Sequence, residues 1–204
     1  MATAGREEKM TTINTRLVAE RSGMRLVIQP RTKPGCGDVI LSPQSPKLIQ
    51  GVEVEPLHVL PDDRGCFAEL FRFGEPGMER DFDAAHHAHI QVAFTVSYPG
   101  VIKAIHYHFE QIDLWAPISG MLQVCLYDLR EPSPTCGGLN TLFVGSSRPW
   151  KLRIPPGVGH GYKVLGIESS VLVYTMNRLY NPHDEGRIPY DDPGINYDWV
   201  TRSR

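Results

Sequence analysis

The sequence predicts an all-β protein, a sandwich or barrel of many short strands. Apolar and polar residues alternate in short runs, the period of a half-buried strand. Breakers fall between those runs: the 204 residues include 17 prolines and 19 glycines, spaced as turns rather than as interruptions of long helices. Only GEPGMERDFDAAHHAHI (74–90) reads as a helix, and it is short and weakly amphipathic. An all-helical bundle is excluded.

Residues 1–48 read as an N-terminal arm, partly extended and flexible, ahead of a domain over 49–204. The arm is polar and unpatterned up to Thr15, has strand character at MRLVIQP (24–30), and is breaker-rich from 31 to 47. From Leu48 the texture changes. LIQGVEVEPLHVLPDDRGCFAELF alternates around a turn at Pro61–Gly65, the pattern of strand, turn, strand. Further strands are expected at 91–98, 101–109, 112–118, 120–130, 139–145, 150–155, 161–166 and 169–180, with turns at PG, SG, PSPTCGG, PPG and NPHDEG. YDDPGINYDW (190–199) reads as a loop or short strand.

Composition bounds the function. Twenty-one basic and 23 acidic residues leave a net charge of −2, which argues against a nucleic-acid footprint. No apolar run approaches the length of a membrane span, and the start MATAGREEKM lacks the order of a signal peptide. Cys36, Cys66, Cys125 and Cys136 are scattered with no CxxC pair, as in a protein of a reducing cytoplasm. The expectation is a cytoplasmic protein without nucleic-acid or membrane partners. His86, His87 and His89, with no carboxylate or cysteine at matching spacing, read as a helix end or loop.

The chemistry-bearing residues lie later in the chain. His106 and His108 are two apart in VIKAIHYHF, so one face of a strand carries both. On an edge strand such a pair needs no ligand. Gly100, His106, His108, Asp113 and Gly120, however, fit G-x5-H-x-H-x4-D-x6-G, and Pro155, Gly157 and His160 fit P-x-G-x2-H. Together these resemble the two cupin motifs, with Asp113 where Glu is usual. The resemblance implies a double-stranded β-helix, or jelly-roll barrel, with few short helices. It also implies a divalent transition metal (Fe, Ni, Mn, Cu or Zn) held by His106, His108, Asp113 and His160, donors suited to such ions.

A broader resemblance runs through Ile49–Trp199. DDRGCFAEL (62–70), GVIKAIHYH (100–108), YDLREPSPTCGG (127–138), LRIPPGVGHGYKVL (152–165), VYTMNRLYNPHDEGRI (173–188) and YDDPGINYDW (190–199) are similar to the dTDP-4-dehydrorhamnose 3,5-epimerase family. It implies an isomerase or epimerase of a nucleotide-linked 4-keto-6-deoxy sugar, a homodimer exchanging N-terminal strands, and no required cofactor. A base on one face would remove a proton made acidic by the ketone, and an acid on the other would return it. By position His106 is the base, Tyr174 the acid, and Arg64, Glu69, Gln91, Lys103 and His160 bind substrate, the first two often in a partner subunit.

The chain departs from that pattern where it matters for charge. Lys103-Ala104 stands for Arg-Gly, which keeps a cation but loses its bidentate fork. Ala93 stands for an Asn, Gln123 for an Asp, His108 for a Gln, and Asp113 for the Lys that stabilises an enolate. The family's later Asp, partner of the base, would lie beyond Arg204. Because the changes toward His and Asp complete the cupin set, a metal could take the lysine's place as Lewis acid; a metal-bound His106 could not then be the base. Two other readings stay open: a metal-dependent cupin enzyme of other small-molecule chemistry, an oxygenase or isomerase, and a non-catalytic sugar-binding cupin.

Overall fold

A computed structural model describes residues 15–74, 76–82 and 89–201, and among them all regular structure is β. The strands are β1 (Arg16–Arg21), β2 (Met24–Ile28), β3 (Asp38–Val39), β4 (Glu53–Pro56), β5 (Val59–Asp62), β6 (Gly65–Ala68), β7 (Gln91–Ser97) and β8 (Ile102–His108), then β9 (Asp113–Ser119), β10 (Met121–Asp128), β11 (Leu139–Gly145), β12 (Trp150–Ile154), β13 (Val158–Leu165), β14 (Ser170–Met176) and β15 (Glu185–Arg187). Two sheets face one another. One has six strands in the order β15-β8-β13-β10-β11-β3, the other five in the order β4-β12-β9-β14-β7. From β7 to β15 the chain alternates between the sheets except at the β10–β11 hairpin, the wrapping of a jelly roll. All pairings are antiparallel except β3 with β11.

The period of two decides the packing. In β10, Leu122, Val124 and Leu126 turn inward to meet Leu142, Val144, Leu152, Trp115 and Leu172 between the sheets. Cys125 and Tyr127 turn the other way, into a second cluster with Leu26, Ile28, Ile105, Ile188, Tyr197 and Trp199. The central strand therefore reads as a near-continuous apolar run. The described part of the expected arm supplies much of this outer cover. Leu26, Val27 and Ile28 are fully buried, and the Tyr127 hydroxyl accepts from the Gln29 amide and donates to the Gln29 carbonyl, both at 3.0 Å.

The expected helix over 74–90 does not form in its described part, which is turns and coil; residues 83–88, with His86 and His87, lie outside the described residues, as do 1–14. The hydrogen bonds there are single turns, Arg80 to Gly77 and Phe82 to Glu79. A competing bond explains the geometry: Arg153 Nη1 donates to the Met78 carbonyl at 2.7 Å. Met78 and Phe82 then pack on Ile112 and Leu114, covering one end of the five-stranded sheet's outer face. Among the described residues, Val92, Phe94, Val96 and Ile118 on the same face are exposed.

Strand β13 starts earlier than its glycines suggest. Gly159 and Gly161 look like breakers, yet both lie inside the strand and pair with β10. Close approach is the reason for the second: a Cβ on Gly161 would come within 2.3 Å of the Ala104 Cβ on β8. His160 consequently sits in a strand rather than a loop.

Candidate active site

A cavity of about 330 Å³ opens between the two sheets. From the six-stranded sheet, β8 contributes Lys103, His106 and His108, β13 contributes His160 and Tyr162, and β15 contributes Glu185 and Arg187. From the five-stranded sheet come Gln91 and Thr95 of β7, Asp113 and Trp115 of β9, and Leu172, Tyr174 and Met176 of β14. His106 and Tyr174 thus approach one space from opposite walls. Lys103 Nζ reaches across the gap between the sheets to donate to Thr95 Oγ1 at 2.7 Å.

His106 faces Glu185, with Nδ1 to Oε1 at 3.6 Å; the same oxygen accepts from Arg187 Nε at 2.7 Å. Burial, then repulsion from His160, lowers the His106 pKa to about 4 against the pull of Glu185. The ring is neutral at pH 7 and carries a lone pair fit to take a proton. Tyr174 is shifted the opposite way. Burial, then the negative charge of Asp113, raises its pKa, so the phenol keeps its proton.

Deeper in the cavity, His108, Asp113 and His160 each place one ligand atom within 4.8 Å of the other two, and all three are buried. His160 Nε2 is 3.1 Å and His108 Nε2 3.7 Å from Asp113 Oδ2. Gln111 Nε2 donates to Asp113 Oδ1 at 2.7 Å and lies 3.2 Å from His108 Nε2. Burial pushes the Asp113 carboxyl up, but the His160 contact, the charges of both histidines and Gln111 hold it below its usual range. Trp115 presents its edge to His160, ring centroids 5.3 Å apart. His106, grouped with these donors by motif spacing, is not part of their convergence. Two residues along a strand span about 6.6 Å, and its ring nitrogen is turned to Glu185 instead.

Of the substrate-binding set expected from the sequence, Gln91, Lys103 and His160 line this cavity and Arg64 and Glu69 do not. Arg64 sits at the tip of the β5–β6 hairpin, its side chain 84% exposed and paired with Asp62; Glu69 pairs with Arg72. Gln123 points away from the cavity, donating to the Tyr197 hydroxyl in the outer cluster. Gln111, Glu185 and Arg187 escaped the sequence reading. Gln111 was findable, since it is two residues before Asp113 on the same strand approach. Glu185 and Arg187 lie on a three-residue strand, too short to show a period.

A family profile described as dTDP-4-dehydrorhamnose 3,5-epimerase matches residues 46–204. The chain is 46% identical over 159 residues to the spore coat polysaccharide biosynthesis protein SpsL of Bacillus subtilis (strain 168), covering 77% of this chain and all of that protein. It is 40% identical over 154 residues to the probable low-salt glycan biosynthesis epimerase Agl13 of Haloferax volcanii, covering 74% and 94%. Among solved structures, a dTDP sugar isomerase from Desulfovibrio desulfuricans G20 superimposes with a TM-score of 0.67 at 26% identity, over 76% of this chain and 94% of that one. By residues 46–204, by these relatives and by its jelly-roll fold, the chain belongs to the dTDP-4-dehydrorhamnose 3,5-epimerase family of sugar epimerases.

Proposed function

We propose that this protein epimerises a nucleotide-linked 4-keto-6-deoxy sugar, with His106 removing the proton alpha to the ketone and Tyr174 returning one on the other face. One observation carries this reading: a neutral imidazole and a protonated phenol reach the same cavity from opposite sheets. A sugar ring between the walls would meet a base on one side and an acid on the other, which inversion requires. Glu185 beside His106 orients the ring and accepts the charge it gains, the office of the carboxylate the family places later in the chain. Lys103, Arg187 and Gln91 at the cavity lining would hold the ligand. A solved relative from Legionella pneumophila, 25% identical with a TM-score of 0.62 over 76% of this chain and 80% of that one, is described in complex with dTDP-4-keto-L-rhamnose.

The working unit is a homodimer. The open outer face of the five-stranded sheet and the apolar residues of the β5–β6 hairpin, Leu60 and Phe67 among them, support it; large exposed apolar patches mark interaction surfaces. Arg64 and Glu69 would then reach the partner's cavity. The compartment is the cytoplasm, in keeping with four cysteines that form no disulfide; no helix among the described residues is long and apolar enough to cross a membrane. A second reading, a metal-dependent enzyme of other small-molecule chemistry, is favoured only by the His108–Asp113–His160 convergence.

Incubation with dTDP-4-keto-6-deoxyglucose in D2O tests the proposal. Deuterium should enter beside the ketone, and His106→Asn and Tyr174→Phe should each slow turnover by roughly 10²–10⁴-fold. Exchange at the wild-type rate in both variants would sink the assignment. The acidic limb of kcat/KM should lie below the ordinary histidine value of ~6.5, because the base must be neutral and its pKa is lowered.

A further inference from the structure

We infer that Asp184 and Arg21 are positioning residues: the β1–β2 hairpin, through Arg21, braces an Asp184 clamp that sets Glu185 against His106. This rests on the epimerase reading, which makes Glu185 the partner of the base. Glu185 opens β15, a three-residue strand at the edge of the six-stranded sheet. Its register on β8 is Glu185 to His108, Gly186 to Tyr107 and Arg187 to His106. Three pairs on one side hold a strand weakly, so its placement depends on what anchors its ends. Asp184 is the anchor next to Glu185. Its buried carboxylate accepts three successive backbone amides from the turn after β8. Oδ1 takes those of Phe109 and Glu110, both at 3.1 Å, and Oδ2 takes that of Gln111 at 3.0 Å. Hydrogen bonds to an ionised acceptor are the strong ones. The residue before Glu185 is thereby pinned to the turn that follows His108.

Arg21 braces both halves of the clamp. Its Nη1 donates to the His183 carbonyl at 3.0 Å and stands 3.6 Å from Asp184 Oδ1, while Nη2 stands 3.5 Å from Glu110 Oε1. A planar guanidinium can meet several acceptors at once, as a lysine cannot. Arg178 Nη1 reaches the other Glu110 oxygen at 2.9 Å, so the same turn is tied to the end of β14, the strand of Tyr174. Arg21 itself stands on a firm base. It closes β1, and Leu26, Val27 and Ile28 of the paired β2 are fully buried, with the Val27 amide donating to the Leu129 carbonyl at 2.7 Å.

The hairpin lies ahead of residues 46–204, which the family profile matches. A segment outside the matched domain therefore reaches the wall that carries the base. Its effect on chemistry passes through one contact, Glu185 Oε1 facing His106 Nδ1 at 3.6 Å. A carboxylate only accepts, so Glu185 keeps the His106 proton on Nδ1 and leaves Nε2 as the lone-pair nitrogen. Loss of the clamp frees β15 to shift, and the tautomer that suits the base is then held less firmly.

The test uses full-length protein and two readouts. In turnover of dTDP-4-keto-6-deoxyglucose, Asp184→Asn, which sets an amide NH2 against backbone donors, should lower kcat about 10–100-fold with KM little changed. Arg21→Ala should lower kcat by about 2–5-fold, the scale of a part-exposed ion pair, and Arg21→Lys should recover part of that loss. Arg25→Ala, on the same hairpin and paired with Glu20 and Glu131, should leave kcat as it is. Because Asp184 acts through Glu185, the Asp184→Asn/Glu185→Gln double variant should lose no more than Glu185→Gln alone. Losses that multiply in the double variant would overturn the proposal and leave Asp184 as a stabiliser of the turn. The second readout needs no substrate: 15N NMR of histidine-labelled protein, with His106 assigned from His106→Asn. Glu185→Gln should shift the His106 nitrogens and Asp184→Asn should shift them the same way, while circular dichroism shows the fold kept. Unmoved His106 signals in folded Asp184→Asn would overturn the clamp. Wild-type protein that exchanges no deuterium would sink the epimerase reading, and the NMR comparison would still decide the clamp.

Discussion

The two sheets share a core and differ in what covers their backs. The six-stranded sheet is buried on both faces: inward by the aliphatic side chains of β10, β11 and β13, outward by β2 and the segment 188–199. The five-stranded sheet shares the inner cluster, but among the described residues its back is covered at Leu114 by Met78 and Phe82 and left exposed at Val92, Phe94 and Val96. Phe94 on its edge strand is 70% exposed. The difference separates tasks. The doubly covered sheet holds β8 and β13, and with them His106, His108 and His160, in a rigid wall. The half-covered sheet supplies Tyr174 and Asp113 from within and keeps apolar side chains exposed on its back.

Breaking the doubly covered sheet should cost most. Leu126→Ala removes a fully buried side chain from the central strand, and urea unfolding should show a loss of about 2–5 kcal/mol. Leu26→Ala asks whether the outer cover is true core. It should cost about 2–3 kcal/mol, the hairpin being freer to settle into the space; a loss no larger than that of a surface change would mean the cover is a loose arm.

A smaller effect is expected at the end of β10. There Asp128 accepts from Arg130 Nε and Nη2 and from the hydroxyls of Ser133 and Thr135, clamping the turn of residues 128–138. Burial raises its pKa, but those hydrogen bonds prevail and the net shift is downward. Its stabilisation is therefore present above the unfolded value near ~3.9 and lost as pH falls through the lower folded value. Asp128→Asn should cost about 1–3 kcal/mol at pH 7 and flatten the stability profile in that acid window.

The smallest effect on stability should come from the open face. Phe94→Ser should change monomer unfolding by less than about 0.5 kcal/mol yet shift sedimentation toward monomer. An unchanged dimer would move the interface off this face, and a large loss of stability would mean the face is covered within the chain.

Much of this was readable from local pattern. Alternation located the strands, because a half-buried strand repeats every two residues whatever it packs against. The β5–β6 turn and the shared face of His106 and His108 followed from the same rule. The helix over 74–90 failed because helical spacing at Met78 and Phe82 cannot reveal that Arg153, 75 residues away, would take the Met78 carbonyl. His106 falls outside the His108–Asp113–His160 group for a related reason. Motif spacing counts positions along one strand, whereas ligation depends on which nitrogen points where.

The sequence by itself determined where the strands lie along the chain, the shared face of His106 and His108, and the membership of His106, Tyr174, Lys103, Gln91 and His160 in one site. These rest on period-two geometry and on a family pattern spread over the whole domain. Only the tertiary structure decided that His106 turns to Glu185 while His108 and His160 turn to Asp113, and that Arg64 and Glu69 stand outside this chain's cavity. Those choices depend on cross-strand neighbours brought from distant segments, β15 beside β8 and β9 across from β13, and on the close approach at Gly161 that sets how β13 lies on β8. No single segment carries that information, because the distances that set His106 against Glu185 and His160 against Asp113 exist only once both sheets are in place.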